Sequence, residues 1–289
     1  MSSIDRRSYP ISSEGRKIMK KRVAPLLFFL ILFPALTLER ISPGAFGAIP
    51  PVSYRSPVPF APGERFVYDV LLNDAKVGKA VMKVEETILQ GRAVYHLISE
   101  VKSSGFFSLL VPINDRVESY MDMKGLYSHR IEIRKERRRK TEEKVVTFDQ
   151  VGHRAVQWKN NEAETFEIPP RVQDSLSSLY FFRTQPLPEA GEEISIDIHE
   201  SEKNGKLEVR SLSRQLVTTP AGTFQTTKVE TALPKESPLS SKGRFFIWFT
   251  EDDKRVPVLM QTESKRGVIT VLLSSQREGK APSLTAEAF

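Results

Sequence analysis

Apolar residues recur at every second position through most of this chain. Phe66, Tyr68, Val70 and Leu72 alternate with polar neighbours, the period of a strand with one buried face. A turn over Asn73-Asp-Ala-Lys-Val-Gly78 and the apolar positions Ala80, Met82 and Val84 predict a return strand. Tyr95, Leu97 and Ser99 continue the pattern after Gly91. Further strands are expected over 117–123, 127–133, 145–148 and 155–158. They resume at Ile194, Ile196 and Ile198, and then over 207–216, 224–231, 245–249, 258–263 and 268–273. Lys203-Asn-Gly-Lys206 has the Asn-Gly signature of a hairpin turn.

One segment departs from this period. Val172, Leu176, Leu179 and Tyr180 line one face of a helix over 174–183, with Asp174 as its N-cap. The run Gly105-Phe-Phe-Ser-Leu-Leu-Val111, closed by Pro112, fits a buried strand, a short helix or a loop equally well. The expected fold is mainly β: curved antiparallel sheets, half-barrel or sandwich-like, with one main helix near 174–183. Gly63-Glu-Arg-Phe-Val-Tyr-Asp-Val70 and Gly191-Glu-Glu-Ile-Ser-Ile-Asp-Ile198 share one pattern, and Tyr120 and Trp248 stand at the same 128-residue offset. Two related β-meanders would follow, with chance likeness between amphipathic strands as the alternative.

The N-terminus changes the picture of charge. Arg16, Lys17, Lys20, Lys21 and Arg22 precede a short apolar stretch broken by Pro25 and Pro34, and Ala45-Phe-Gly47 has the small residues of a cleavage site. This is the layout of a cleavable export signal over 1–47, with Met19 as an alternative start. The expected location is periplasmic or secreted, with no transmembrane helix after cleavage. An extended lead-in over 48–62, one β-rich domain over 63–275 and a flexible tail over 276–289 would follow. The chain has 43 Lys+Arg against 36 Asp+Glu, of which residues 1–47 hold eight and three. The remainder is close to neutral, which argues against a nucleic-acid partner. With no cysteine, disulfides, thiol catalysis and lipid attachment to a cysteine are excluded.

Four stretches carry a resemblance: Pro62-Gly-Glu-Arg-Phe-Val-Tyr68, Val172-Gln-Asp-Ser-Leu-Ser-Ser-Leu-Tyr180, Thr219-Pro-Ala-Gly-Thr-Phe224 and Trp248-Phe-Thr-Glu-Asp-Asp-Lys-Arg-Val-Pro257. Together they resemble the domain-of-unknown-function 3108 family of exported bacterial proteins, over about residues 60–275. The resemblance implies an envelope location and a β-rich fold, and no reaction.

His96, His129, His153 and His199 show no metal-ligand spacing, and no nucleophile elbow or phosphate loop occurs. No metal, cofactor or catalytic residue is expected. Asp69, Asp252 and Asp253 are the carboxylates a hydrolase would use, and Asp252-Asp253 reads more readily as a turn, where Asp bonds its own backbone. Between Arg134 and Lys140 stand six basic residues, among them Arg137, Arg138, Arg139 and Lys140. They suit an anionic headgroup, or else form a solvated, charge-mixed hairpin. Phe106, Phe107, Leu109 and Leu110, with Trp248 in a second aromatic run, would line an apolar pocket or dip into a membrane if they are not core. The expectation is a non-enzymatic protein that binds an apolar or lipid-like ligand between sheet and helix, with peripheral membrane contact. The rival is a module that pairs with another envelope protein.

Overall fold

The computed structural model describes residues 58–138, 140–159, 162–200, 202–232, 244–264 and 267–283. The proposed leader and most of the lead-in lie outside them. The first meander comprises β1 (Arg65–Leu72), β2 (Ala75–Leu89), β3 (Arg92–Ser103), β4 (Asn114–Asp122), β5 (Ser128–Arg137), β6 (Lys140–Asp149), β7 (Arg154–Lys159) and β8 (Glu162–Glu167). The second comprises β9 (Glu193–Glu200), β10 (Lys203–Thr219), β11 (Gly222–Ala232), β12 (Arg244–Thr250), β13 (Pro257–Ser264) and β14 (Gly267–Arg277). Two helices interrupt them, α1 (Gly105–Leu110) after β3 and α2 (Ser177–Thr184) between the meanders.

All strands join one antiparallel sheet in the order β8-β7-β6-β5-β4-β3-β2-β1-β14-β13-β12-β11-β10-β9. The two meanders meet where β1 pairs with β14. The sheet wraps around until its outer edges approach each other. The chain ahead of α2 bridges them, with Gln173 exchanging backbone hydrogen bonds with Asp197 and His199. Side chains extend the seam: Asn204 Nδ2 donates to Glu167 O at 2.7 Å, and Gln157 Nε2 to Glu202 Oε1 at 2.9 Å.

The expected repeat is present in the geometry. Gly63 and Gly191 both have φ +90, and each donates its N–H to the neighbouring strand, to Val84 O and Ser211 O. Register shifts fall at Tyr120/Met121 and at Trp248/Phe249, again 128 residues apart. Leu126 and Arg255 follow with positive φ. These are equivalent turns and bulges in equivalent strands, since β4 is the fourth strand of its meander and β12 the fourth of the other.

Several local expectations are corrected. Asn73 and Asp74 alone make the first turn, both at positive φ, as a two-residue hairpin demands. Gly78 lies inside β2, where a Cβ would meet Lys102 O at 2.5 Å. The second turn falls between Glu200 and Lys203, and Asn204 and Gly205 pair with His199 and Ile198 instead. Asn204 is held there because its side chain contacts His199 Nδ1 at 2.8 Å as well as Glu167. Helix α2 starts at Ser177 with Leu176, not Asp174, as its N-cap; Asp174 braces the turn ahead of it, where Oδ1 accepts from the N–H of Leu176 and Ser177, both at 2.8 Å. Strand β8 was not legible, because nearly all its side chains are exposed and no alternation marks it. The last strand runs to Arg277, and Lys280 N–H donates to Pro62 O beyond it.

Candidate functional site

Ser104 N–H donates to Val77 O and Ser103 N–H to Ile113 O, so α1 is held across the end of the β2–β3 hairpin. The six-residue helix is apolar almost all round. Phe107 and Val111, four positions apart, turn toward the core. Phe106, Leu109 and Leu110, at i, i+3 and i+4, share the other face, and they are 74%, 65% and 54% exposed. No residue of α1 is fully buried. A helix apolar on every side is normally enclosed on every side; this one is covered on one side only.

The tip of the β5–β6 hairpin stands next to it. Arg138 Nη2 donates to Leu109 O at 2.6 Å. The two sets of residues singled out from the sequence, the Phe106–Leu110 run and the basic tip, therefore form one surface. Their charges differ in how far they are compensated. Arg137 forms a two-pronged pair with Asp115, with Nη2 at 2.7 Å from Oδ2, and Lys140 Nζ is 2.5 Å from Glu142. Arg138 spends its hydrogen bond on a neutral carbonyl. Arg139 lies outside the described residues.

Trp248 belongs elsewhere. It is 4% exposed on β12, with Lys228 Nζ 4.7 Å from its ring centroid and 4.1 Å from that of Phe246. Both faces of β12 are buried, since Ile247 and Phe249 are covered as well; Phe249 packs on Phe182 of α2 at 5.0 Å. Between sheet and helix, Phe60 packs against Tyr95 and Tyr180, each at 5.1 Å. A pocket of about 100 Å³ opens near Phe60, Glu64, Asp252 and Lys254, smaller than the several hundred Å³ that enclose a drug-sized ligand.

The interior also holds polar groups, of which only Asp174 stood out in the sequence. Arg183, 1% exposed, forms a fork-to-fork pair with Glu64 at 2.7 and 2.8 Å. It donates further to Pro59 O at 3.2 Å and Lys254 O at 3.0 Å. Its guanidinium lies 5.2–5.4 Å from the rings of Phe60, Phe66 and Tyr180. Burial alone would lower its pKa, and the Glu64 carboxylate more than reverses this. Asp174 Oδ2 accepts from Ser119 at 2.6 Å and Ser128 at 2.5 Å, yet burial pushes its carboxyl up. Glu200, 8% exposed, is pushed up to about 8 by burial. Burial pulls Lys144 and Lys135, on the strands facing it, down.

The carboxylates a hydrolase would use do not converge. Asp69 pairs with Lys76 at 2.7 Å. Asp252 Oδ1 accepts from Thr250 Oγ1, Lys254 N and Arg255 N, as a turn-forming Asp does. His96 lies against Glu118 and stacks on Tyr120, and His129 pairs with Asp122. Among the described residues no three His, Asp or Glu side chains gather as metal ligands, and no helix is long and apolar enough to cross a membrane.

The comparisons agree with this architecture. The family described as protein of unknown function (DUF3108) matches residues 67–274. A β-barrel-like protein of the domain-of-unknown-function family DUF1849 from Brucella abortus superposes with a TM-score of 0.51 at 11% identity, over 76% of this chain and 99% of that one. That likeness shows a shared fold. A protein with a YmcC-like fold from Bacteroides fragilis gives a TM-score of 0.30 at 13% identity, over 76% and 98%. A protein from Parabacteroides distasonis gives 0.29 at 12%, over 76% and 98%. No curated protein matches the sequence.

Proposed function

The chain belongs to the DUF3108 family of proteins of unknown function, and from that premise we propose that it is an exported, non-enzymatic envelope protein that binds an apolar or lipid-like partner at α1. The curved sheet acts as a scaffold, and the ligand-facing surface is a lip on its rim. The observation that carries this reading is the joint exposure of Phe106, Leu109 and Leu110 on one face of a tethered helix. Covering such side chains is worth about 1.5–3 kcal/mol each, which the unliganded protein forgoes. A mixed basic and apolar rim suits a molecule with an acyl body and a polar end.

The test is photo-crosslinking with a diazirine-labelled fatty acid, followed by peptide mapping. Label is expected on the peptide containing residues 105–111, and is expected to drop at least fivefold in the variant Phe106→Ser/Leu110→Ser. Label that maps to other peptides, or stays at background, overturns the reading. A protein seated on the same face is the rival, and it predicts background labelling.

A further inference from the structure

The charge around α1 identifies the partner more closely, on the premise that α1 is the binding surface. On the strands that carry the helix, Lys79 of β2 and Lys102 of β3 are directly opposed, and both are exposed. Like charges at such a position repel and weaken a sheet. The pair stands one residue from Gly78 and Ser103, where the chain turns into α1. α1 also meets Arg138, whose guanidinium donates to Leu109 O and makes no ion pair with an acid among the described residues. The hairpin segment 134–144 has seven basic residues against three acidic ones. Three apolar side chains thus project beside Arg138 and the opposed Lys79 and Lys102, of which Lys79 also stands across from Asp69 and Lys102 acts on the Glu136 carboxylate.

A single fatty acid would answer one of those charges. A plane of anionic headgroups over an apolar layer answers all of them, and its geometry matches: apolar residues below the headgroup level, cations at it. We propose that α1 and the flanking Lys79, Lys102 and Arg138 form a peripheral docking surface for a membrane leaflet rich in anionic phospholipid. Phe106, Leu109 and Leu110 enter the acyl boundary, and the cations take up phosphate. The contact is reversible, because three side chains bury far less apolar area than an anchor does.

The experiment is co-sedimentation of the purified mature protein with vesicles of phosphatidylcholine alone, or with 30 mol% phosphatidylglycerol. Binding is expected on the anionic vesicles only, falling steeply between 0.1 and 1 M NaCl. The variant Arg138→Glu/Lys102→Glu should weaken it by more than tenfold, since each neutralised cation alone is worth about fivefold. Phe106→Ser/Leu110→Ser should abolish it, and Val151→Ser, an exposed apolar site elsewhere, should leave it unchanged. Equal binding to both vesicle types, or insensitivity to the charge variant, overturns the proposal. Failure to bind either vesicle, with fatty-acid label still on 105–111, overturns it while leaving α1 as the ligand surface. Failure of both experiments removes that reading too.

Discussion

The buried pair of Arg183 and Glu64 permits a quantitative test of what holds the barrel together. Arg183 sits at the end of α2 and reaches Glu64 at the entrance to β1, Pro59 in the lead-in and Lys254 in the β12–β13 turn. It therefore links the helix to both meanders. Replacing it with Met retains most of the apolar volume against Phe60, Phe66 and Tyr180, but leaves the Glu64 carboxylate buried without a counter-charge. Breaking a buried pair in this way costs about 3–5 kcal/mol. In a domain of this size about 1 kcal/mol moves Tm by about 2–4 °C, so Arg183→Met should lower Tm by roughly 6–20 °C. Changing both partners, as Arg183→Met/Glu64→Leu, removes the stranded charge and should recover at least half of the loss. The assay is urea and thermal unfolding followed by circular dichroism, with the coupling read from the double-mutant cycle. A single variant within about 1 kcal/mol of the parent, or a double variant no better than the single, would refute the view that Glu64 depends on Arg183 for its charge.

Two further outcomes follow from the interior. Glu200 has its carboxyl at about 8 in the folded protein, against 4.5 in the ordinary state. The folded chain then keeps a proton that the unfolded chain releases, so stability should fall as pH rises from about 4.5 to about 8. Asp174, also raised, acts in the same direction, whereas the lowered Lys144 and Lys135 restore stability only toward more alkaline pH. The Glu200 part of the loss should be on the order of 3 kcal/mol between pH 5 and 8 and disappear in Glu200→Gln, read from urea midpoints; His199, lowered by burial, opposes it in both proteins, so a variant with the parent's pH dependence contradicts the assignment. Trp248→Ala should cost about 3–5 kcal/mol as a core truncation and leave vesicle binding by the folded fraction intact, while lost binding at unchanged stability would return Trp248 to the ligand surface.

The alternation of Phe66, Tyr68 and Val70, and its recurrence along the chain, was enough to show a β protein with one central helix. Strand period is a local property, written in the side chains that share a face. The duplicated Gly-Glu pattern was legible for the same reason, because equivalent turns need the same positive-φ residue at the same offset. Turn placement was less so. At Asn204-Gly205 the local signal yielded to a register in which Asn204 serves His199 and Glu167 across the seam. Composition also showed which chemistry to set aside, since a chain without cysteine cannot use thiols.

What the tertiary structure decided was which apolar runs are core and which are surface. Phe106-Phe107 and Phe245-Phe249 are equally apolar, but β12 lies in mid-sheet and is covered on both faces, whereas α1 lies on the rim and is covered on one. Burial depends on what arrives from elsewhere in the chain, and so does electrostatic pairing. Glu64 and Arg183, 119 residues apart, become one charge-compensated unit, and Lys79 meets Lys102 only when β2 and β3 pair. Phe106, Leu109, Leu110 and Arg138 stood out individually in the sequence, whereas Lys79 and Lys102 did not; the convergence proposed for them arises from the order of strands in the sheet, which periodicity does not encode.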